Sequence, residues 1–376
     1  MKIVVALDSF KGSLSAERAC AIVAHSLKEA LPEAEVEARP MADGGEGTAR
    51  AILGARSGRW VARRAMGPLP DRVVEAGYAW LEDDRTAVVE MASASGLTLL
   101  APGERNPLKT TTHGTGELVR AAIEQGARRI LLAVGGSATV DGGVGAAMAV
   151  GWQFADARGV PVGLGGGELQ RIARFQAPDP WKPPPVEVLC DVTHGLCGPE
   201  GAARVFGPQK GATPAMVERL DAGLRQLARL VQANLGLDLL ALPGGGAAGG
   251  LAAGAVAFMN AQLVPGVQAV MEVVRLADAL IGADWVITGE GRLDDTSLCG
   301  KVVSGVAALA RKKGARVAVL AGTVALPSRM WRRAGMDMAI ACAPAGMSAA
   351  EAMTRAEELL AGAADSLART LAVGTR

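Results

Sequence analysis

Apolar runs alternate with helical patterns at both ends of the chain, and this alternation constrains the fold more than any other feature. Lys2–Leu7 is a continuous run rich in Val and Ile, which is typical of a strand covered on both faces. A helical pattern follows it, and the C-terminal part repeats the rhythm with strands predicted at 284–288, 316–321 and 338–342. Strands of this kind separated by helices predict a parallel, doubly wound sheet.

The middle of the chain has a different pattern. Short alternating strands are predicted at 60–65, 73–80 and 86–91, before a helix near 116–125 and a strand at 129–134. We therefore predict an α/β protein in which both chain ends form one Rossmann-like parallel-sheet domain and a second, mixed α/β domain is inserted. Ligands of such proteins bind beside the carboxyl ends of parallel strands, so we expect the active site in the cleft between the domains. The predicted boundaries are 1–58 with 283–376 for the first domain and 59–282 for the inserted one.

Charge and composition exclude several classes of protein. The chain has 39 Lys and Arg against 38 Asp and Glu, so it lacks the basic surface expected for binding nucleic acid or an anionic membrane. The uncharged stretch Leu239–Met271 is interrupted by Pro243, Pro265 and a glycine cluster, which favours a buried loop-helix-helix segment over a membrane span. The apolar run at the N-terminus is too short for a signal peptide. Five scattered cysteines indicate a reducing compartment, and we expect a cytoplasmic protein.

Glycine is the one unusual component of the composition. It accounts for 49 of 376 residues, about twice the average share of ~7%, and it gathers in loops that also carry acids, bases or hydroxyls. In the first of these loops, Asp8 and Lys11 directly follow the first predicted strand. They are candidates for a ligand site there, although a helix cap with a solvated lysine would give the same pattern.

Two further glycine-rich loops precede predicted helices. Gly44 and Gly45 follow Asp43, so their amides could hold an anion while Asp43 binds a metal or hydroxyls, unless this is an ordinary acidic helix start. The loop 135–145 follows an apolar strand and opens a helix, where backbone amides are free to hold phosphate. Its candidate binding residues are Gly135, Gly136, Ser137, Thr139, Gly142 and Gly143.

The segment 191–211 contains a candidate base and a candidate anion partner. Asp191 stands at the carboxyl end of the strand predicted at 186–190, which makes it a candidate general base. Lys210 could bind a phosphate or carboxylate. Cys190, His194 and Cys197 are a conceivable zinc set, but they lack a paired C-x-x-C knuckle, so zinc is disfavoured.

The last two glycine-rich loops lie in the second half of the chain. Residues 244–249 match G-x-G-x-x-G, but no acid follows about 20 residues later at the end of a strand, so we expect Gly245 and Gly246 at a helix start near nucleotide or substrate. The loop 288–301 combines Asp294 with Arg292. This pairing suits Mg²⁺ and phosphate together, and a salt-bridged turn is the alternative.

Missing motifs narrow the chemistry. The sequence contains no G-x-x-x-x-G-K-[ST], no G-x-S-x-G and no H-E-x-x-H, and it has only three histidines. These absences exclude a P-loop NTPase, a serine hydrolase with a nucleophile elbow and a zinc metalloprotease. Of the three histidines, His113 is the one whose position near a helix start would let it touch a ligand.

Seven motifs, in order and spread over nearly the whole chain, resemble the bacterial glycerate kinase family of the type that forms 2-phosphoglycerate. Any one of them is weak evidence, whereas their coincidence is specific. They are DSFKGSLSA (8–16), ADGGEGT (42–48), RNPLKTTTHGTGEL (105–118), GGSATVDGGVG (135–145), VFGPQKGA (205–212), PGGGAAGGL (243–251) and TGEGRLDDTSLCGK (288–301).

The resemblance implies an ATP-dependent kinase that phosphorylates the 2-hydroxyl of D-glycerate with Mg²⁺. It also implies a Rossmann-like domain made from both chain ends. The chain departs from the family pattern after Val192, where Thr193 and His194 replace an Asn-Pro pair, and at Asp295, where a Gln is common. With this resemblance, the expected catalytic residues are Asp191, Lys11 and Asp8, the expected oxygen-binding residues include Lys210 and Arg292, and the expected Mg²⁺ ligands are Asp43 and Asp294.

Three alternatives remain open from the sequence. A dehydrogenase could use the G-x-G-x-x-G match, and a non-catalytic protein could bind an organic acid with the same loops. The third alternative is the same kinase chemistry at the 3-hydroxyl. The residues alone do not separate the two hydroxyls, because both lie within two carbons of the carboxylate.

Overall fold

A computed structural model of the chain describes residues 1–298 and 300–373. Its strands and helices confirm the predicted α/β class. The strands are β1 (Lys2–Leu7), β2 (Glu35–Ala38), β3 (Gly58–Met66), β4 (Val73–Leu81), β5 (Thr86–Glu90), β6 (Arg129–Ala133), β7 (Gln153–Ala155), β8 (Arg174–Gln176), β9 (Val186–Leu189), β10 (Gln262–Val264), β11 (Trp285–Leu293), β12 (Arg316–Val324) and β13 (Met338–Ala341). The helices are α1 (Ala16–Ala30), α2 (Thr48–Ala55), α3 (Ala92–Ser95), α4 (His113–Glu124), α5 (Val144–Ala149), α6 (Ala202–Phe206), α7 (Pro214–Leu235), α8 (Leu251–Met259), α9 (Gly266–Val273), α10 (Leu276–Ala279), α11 (Val302–Lys313), α12 (Ser328–Arg333), α13 (Ala349–Thr354) and α14 (Ala356–Val373).

The chain divides into two compact units. The first comprises Met1–Asp43, Arg50–Arg56 and the described residues from Val267 onward, and the second comprises Gly44–Ala49 and Ser57–Gly266. Residues 267–282, which the sequence analysis assigned to the inserted domain, therefore lie in the first unit, and residues 44–49, 57 and 58, which it assigned to the terminal domain, lie in the second. Residues 267–282 pack in the first unit because Gly305 of α11 has no side chain where Val267 approaches it.

The first unit is built on a parallel sheet with the order β13-β12-β11-β1-β2. Ile3, Val5 and Leu7 are fully buried in a cluster that includes residues of α1 and α14, and the alternate residue Val4 is also fully buried. Both faces of β1 are therefore covered, as its continuous apolar run predicted. The crossovers lead away from β1 on one side and from β11 on the other, so a topological switch point lies between β1 and β11, where ligands of doubly wound sheets bind.

The second unit contains a mixed sheet with the order β10-β9-β6-β5-β4-β3. Strands β3, β4 and β5 are antiparallel neighbours, whereas β5, β6, β9 and β10 are parallel. The predicted strands at 60–65, 73–80 and 86–91 are thus confirmed. The carboxyl ends of β5, β6 and β9 share one edge of this sheet. Glu90 is the last residue of β5, and Gly135 and Asp191 lie in the loops that follow β6 and β9.

The uncharged stretch 239–271 lies within the folded units. It contributes α8, the short strand β10 and most of α9. The prediction of a loop followed by two helices was therefore correct for the helices and missed β10. Among residues 1–298 and 300–373, the structure has no helix with the length and apolar character that a bilayer crossing requires.

Candidate active site

A cavity of about 400 Å³ opens in the first unit at the carboxyl ends of β1, β11 and β12. This is the edge at which the switch point places a ligand. Strand β1 ends one residue before Asp8, and β11 runs on through Glu290 and Arg292. Five residues predicted from the sequence line this cavity: Asp8, Lys11, Asp43, Arg292 and Asp294.

Two lining residues were not assigned a role from the sequence. Glu290 and Lys301 both lie in the motif 288–301, and both face the cavity. The signal was present in the spacing, because Glu290 and Arg292 are two residues apart on one strand and so share a face. The sequence analysis ended that strand at 288, so Glu290 and Arg292 were not recognised as neighbours on one face of a strand.

Asp8 is the most buried acid of the cavity, with 9% of its surface exposed. Its Oδ1 accepts a hydrogen bond of 2.7 Å from the backbone N–H of Ser9. Burial raises the pKa of Asp8 to about 7, and the nearby carboxylates of Asp43 and Glu290 add to the shift. Asp8 is therefore close to half-protonated at neutral pH.

Glu290 has a similar environment. Burial raises the pKa of its carboxyl group, and its Oε1 atom is buried without a hydrogen-bond partner. A buried acceptor without a partner, beside the carboxylates of Asp8 and Asp294, is unfavourable. A cation at this point would remove that penalty.

Three basic side chains line the same cavity. Lys11 is 80% exposed, and its Nζ lies 4.0 Å from Oδ2 of Asp43. Arg292 Nε lies 3.5 Å from Oδ2 of Asp294, and Lys301 Nζ donates a 2.6 Å hydrogen bond to Thr296 Oγ1. Loose contacts at the cavity mouth leave Lys11 and Arg292 able to reach phosphate oxygens.

Asp294 has a local structural role in addition. Its Oδ1 accepts hydrogen bonds from the N–H and the Oγ1 of Thr296, at 3.0 and 2.7 Å. These hydrogen bonds hold the pKa of Asp294 below its usual value. The carboxylate is ionised and fixed in direction, with Oδ2 toward Arg292.

The acids of the cavity fit a magnesium ion. Mg²⁺ is usually held by one or two carboxylates together with water and substrate phosphates, without a closed protein cage. Among the residues that the structure describes, no group of three His, Cys, Asp or Glu side chains forms such a cage. Burial raises the pKa of Asp8 and the carboxylate of Asp43 adds to the shift, so this pair would gain from a divalent cation.

In the second unit, Lys210 lies beneath the turn that Gly136 and Ser137 form. Its side chain is fully buried, and its Nζ donates hydrogen bonds to Ser137 Oγ at 2.6 Å and to the carbonyl oxygen of Thr139 at 2.7 Å. Burial lowers the pKa of Lys210 to about 7. The structure thus shows Lys210 holding the loop, whereas the sequence analysis expected it to hold a ligand.

The amides farther along this loop bind a carboxylate of the protein itself. Asp141 is buried and accepts hydrogen bonds from the N–H groups of Gly143 and Gly145, at 3.2 and 3.3 Å, and from the N–H of Thr112 at 2.8 Å. The N–H of Gly142 donates to the carbonyl oxygen of Gly249. Of the predicted phosphate cradle, only Gly135, Gly136 and Ser137 keep exposed surface.

The glycines at 244–250 also bind and pack against the protein's own backbone. The N–H of Gly246 donates to the carbonyl oxygen of His194, and that of Gly245 donates to Leu242. A Cβ on Gly246 would lie 2.2 Å from the carbonyl oxygen of Gly195. Gly245 and Gly246 are both buried, so their close approach serves loop packing.

The loop that contains Gly44 and Gly45 packs on the strand ends of the second sheet. A Cβ on Gly44 would lie 2.8 Å from Cβ of Leu189, and a Cβ on Gly135 would lie 2.6 Å from Cα of Gly45. The carboxylate of Glu90 accepts hydrogen bonds from the N–H groups of Gly47 and Ala49, at 3.3 and 2.6 Å. The loop is therefore held against β5, β6 and β9.

Asp191 is exposed at the end of β9. Its Oδ1 accepts a 2.9 Å hydrogen bond from the N–H of Gly266, which fixes the direction of the carboxylate. Neighbouring side chains that the sequence suggested as zinc ligands have separate partners: Cys197 Sγ contacts the carbonyl oxygen of Asp221, and the His194 ring packs edge-on against Phe206.

The two units and the polar cavity define an α/β enzyme whose charged groups suit phosphate chemistry. Comparison with known proteins makes the assignment specific. The sequence matches the glycerate kinase family over residues 3–372, so the chain belongs to this family and is a kinase.

Individual relatives cover the full length. The chain is 42% identical to a glycerate kinase of Halalkalibacterium halodurans over 372 residues, covering 97% of both proteins. It is 40% identical to the glycerate 2-kinase of Escherichia coli over 379 residues, covering 100% of this chain and 99% of the other. A crystal structure described as a glycerate kinase 2 from Salmonella typhimurium superposes with a TM-score of 0.90 at 42% identity, covering 100% of this chain and 99% of that one.

Proposed function

We propose that the protein transfers a phosphoryl group from ATP to the 2-hydroxyl of D-glycerate, forming 2-phospho-D-glycerate and ADP, with Mg²⁺. One observation carries the proposal. The cavity of the first unit brings the carboxylates of Asp8, Asp43 and Glu290 together with the cations of Lys11 and Arg292. Carboxylates that suit a divalent cation, beside cations that suit phosphate oxygens, are the groups that phosphoryl transfer requires.

The residues of the cavity act by positioning and by neutralising charge. Lys11 and Arg292 neutralise the negative charge of the transferred group and align its oxygens. Asp8 and Asp43 would hold Mg²⁺, which supplies neutralisation of phosphate charge when bound. Asp294 directs Arg292 through their 3.5 Å contact. Phosphoryl transfer requires little covalent chemistry from the protein itself.

Asp191 is the proposed base for the substrate hydroxyl. It follows a parallel strand at the carboxyl edge of the second sheet, and Gly266 fixes the direction of its carboxylate. A fixed carboxylate can orient a hydroxyl group and accept its proton.

Substitution of Asp191 tests this role. We expect Asp191→Asn to fold normally and to lower kcat by about 10²- to 10⁴-fold, which is the usual contribution of general acid–base catalysis. Asp71→Asn, at an exposed position of the same unit, is the control and should keep wild-type turnover. A folded Asp191→Asn protein with unchanged kcat would remove Asp191 from the reaction.

The position of phosphorylation is supported by the relative from Escherichia coli, which is named a glycerate 2-kinase. Phosphorus NMR of a reaction of D-glycerate, ATP and Mg²⁺ with the purified protein tests it. We expect the resonance of 2-phosphoglycerate. The 3-phosphoglycerate resonance would overturn the position, and the absence of any phosphoglycerate would overturn the proposed activity.

We also propose that the enzyme works in the cytoplasm. Cys20, Cys190, Cys197 and Cys342 are free thiols, which suits a reducing compartment; Cys299 lies outside the described residues. Thiol titration of the protein purified without reductant should show free thiols throughout. Disulfide-bonded dimers or an internal disulfide in freshly isolated protein would contradict this location.

A further inference from the structure

The cavity of the first unit has an apolar wall in addition to its charged groups. Helices α13 and α14 supply this wall, and none of the residues that they contribute carries a charge. They are Ala349, Ala352 and Met353 of α13 and Ala356, Leu359 and Leu360 of α14.

We propose that this apolar wall binds the nucleobase and ribose of the phosphate donor, with its phosphates directed toward Lys11 and Arg292. The proposal rests on the proposed function, because it assumes that the donor is a nucleoside triphosphate. It adds the place and the orientation of the donor, which the charged residues alone do not give.

The chemistry of the reactants supports a nucleoside at this wall. Each carbon of glycerate carries oxygen, and phosphate and Mg²⁺ are wholly polar, so none of them has an apolar surface that the wall could cover. The purine ring and the carbon face of ribose do. Ligand pockets are generally lined by apolar side chains with a few polar groups that fix orientation, and this cavity has both in one volume of about 400 Å³.

The apolar and charged walls are continuous. Met353 Sδ lies 3.3 Å from the point that a Cβ on Gly12 would occupy, so α13 contacts the loop that carries Asp8 and Lys11. Met353 is 46% exposed, which leaves its flexible thioether available to pack on a planar ring. A ligand extended from α13 toward Lys11 would thus meet apolar groups first and cations next.

The alanines of α13 provide the space for a ring. Ala352 is partly buried and lines the cavity, whereas Ala350 is exposed on the same helix and does not line it. A leucine at 352 would fill part of the proposed nucleoside site without changing any charge. A leucine at 350 would make the same chemical change outside it.

Calorimetric titration of Ala352→Leu with ADP and with inorganic tripolyphosphate tests the proposal. We expect the Kd for ADP to rise at least 10-fold, while the Kd for tripolyphosphate stays within 2-fold because that probe has no nucleoside. Ala350→Leu should bind both probes like the wild type. In steady-state assays, Ala352→Leu should raise KM for ATP and leave KM for D-glycerate within 2-fold.

Unchanged ADP binding by folded Ala352→Leu, or an equal loss of tripolyphosphate binding, would overturn the proposal. If Ala352→Leu does not fold, Ala349→Leu at the exposed edge of the wall carries the same test with the same expected and contrary results. The titrations need no turnover. A wild type that binds ADP without forming phosphoglycerate would therefore refute the proposed function and leave the nucleoside site standing.

Discussion

The substitution Asp8→Asn should make the metal-free protein more stable and less active. Asp8 is buried beside the carboxylates of Asp43 and Glu290, and this environment raises its pKa to about 7. Asparagine has nearly the same shape, is neutral at every pH and keeps an oxygen that can accept the hydrogen bond from Ser9. The substitution therefore removes the buried charge and little else.

The sign and the size of the effect follow from the pKa. An unfolded aspartate has a pKa of 3.8, so between pH 4 and pH 7 the unfolded chain is ionised while the folded carboxyl resists ionisation. The wild type therefore becomes progressively less stable, relative to its stability below pH 3.8, as the pH rises to about 7. Above that pH the loss of free energy of unfolding stays constant. At roughly 1.4 kcal/mol per pKa unit, Asp8→Asn should raise the free energy of unfolding by about 2 kcal/mol at pH 5 and about 4 kcal/mol at pH 8.

Urea unfolding in EDTA at pH 5, 6.5 and 8 measures this difference. Asp278→Asn, at an exposed position of the first unit, is the control and should show no pH-dependent gain. An Asp8→Asn protein that is less stable than the wild type at pH 8, or a difference that does not grow with pH, would refute the reasoning. Repeating the measurement with Mg²⁺ tests the metal assignment, because the ion should stabilise the wild type more than Asp8→Asn.

Two further substitutions probe the second unit. Lys210→Met should gain more stability relative to the wild type at pH 7 than at pH 10, because burial lowers the pKa of Lys210 from 10.5 to about 7. Between these two pKa values the unfolded lysine is protonated and the folded lysine is not, so the wild type loses stability as the pH falls from 10.5 to about 7. Urea unfolding at both pH values measures the difference, and a difference independent of pH would contradict the prediction. Gly135→Ala should lower the free energy of unfolding by about 1–3 kcal/mol, since its Cβ would lie 2.6 Å from Cα of Gly45. Gly103→Ala, with no heavy atom within 4 Å of its Cβ, is its control, and equal effects of the two substitutions would show that the contact is unimportant.

The sequence predicted the sheet of the first unit because the strands there are buried on both faces. A short continuous apolar run such as Lys2–Leu7 is typical of a strand that is covered on both faces, so its position and type could be predicted from the sequence. The strand β10 could not be predicted from the sequence. It is three residues long and lies inside an apolar stretch whose pattern fits a buried helix equally well.

The composition of the cavity was predicted less completely than the fold. Asp8 and Lys11 were predicted because they follow the first strand, and Asp43 was predicted because it stands beside a glycine-rich loop. Glu290 was missed because the prediction ended β11 at 288, whereas the strand continues to Leu293. The continuation is stabilised by pairing with β12, in which Glu290 lies opposite Ala321 and Arg292 opposite Thr323. Pairing between distant segments is a tertiary effect that a local pattern does not contain.

Glycine misled the assignment of ligand-binding loops for a related reason. A glycine allows close approach of any backbone, and the sequence does not say whether the approaching group is a ligand or the protein. At Gly249 it is the protein, since a Cβ there would lie 1.9 Å from the carbonyl oxygen of Thr139. The same holds for the amides after Asp141, which already bind its carboxylate.

Charged side chains that line a cavity are therefore the better guide to the ligand site in this chain. Asp141 is buried but fully surrounded by donors, and Lys210 is buried with two acceptors, so both belong to the scaffold. Glu290 keeps a buried oxygen without a partner, and burial together with Asp43 keeps Asp8 partly protonated. Burial raises the pKa of both carboxyl groups, and a cation bound beside them would offset the cost of ionising them. For that reason the cavity of the first unit, more than the glycine loops of the second, is where we expect substitutions to change ligand binding while leaving the fold intact.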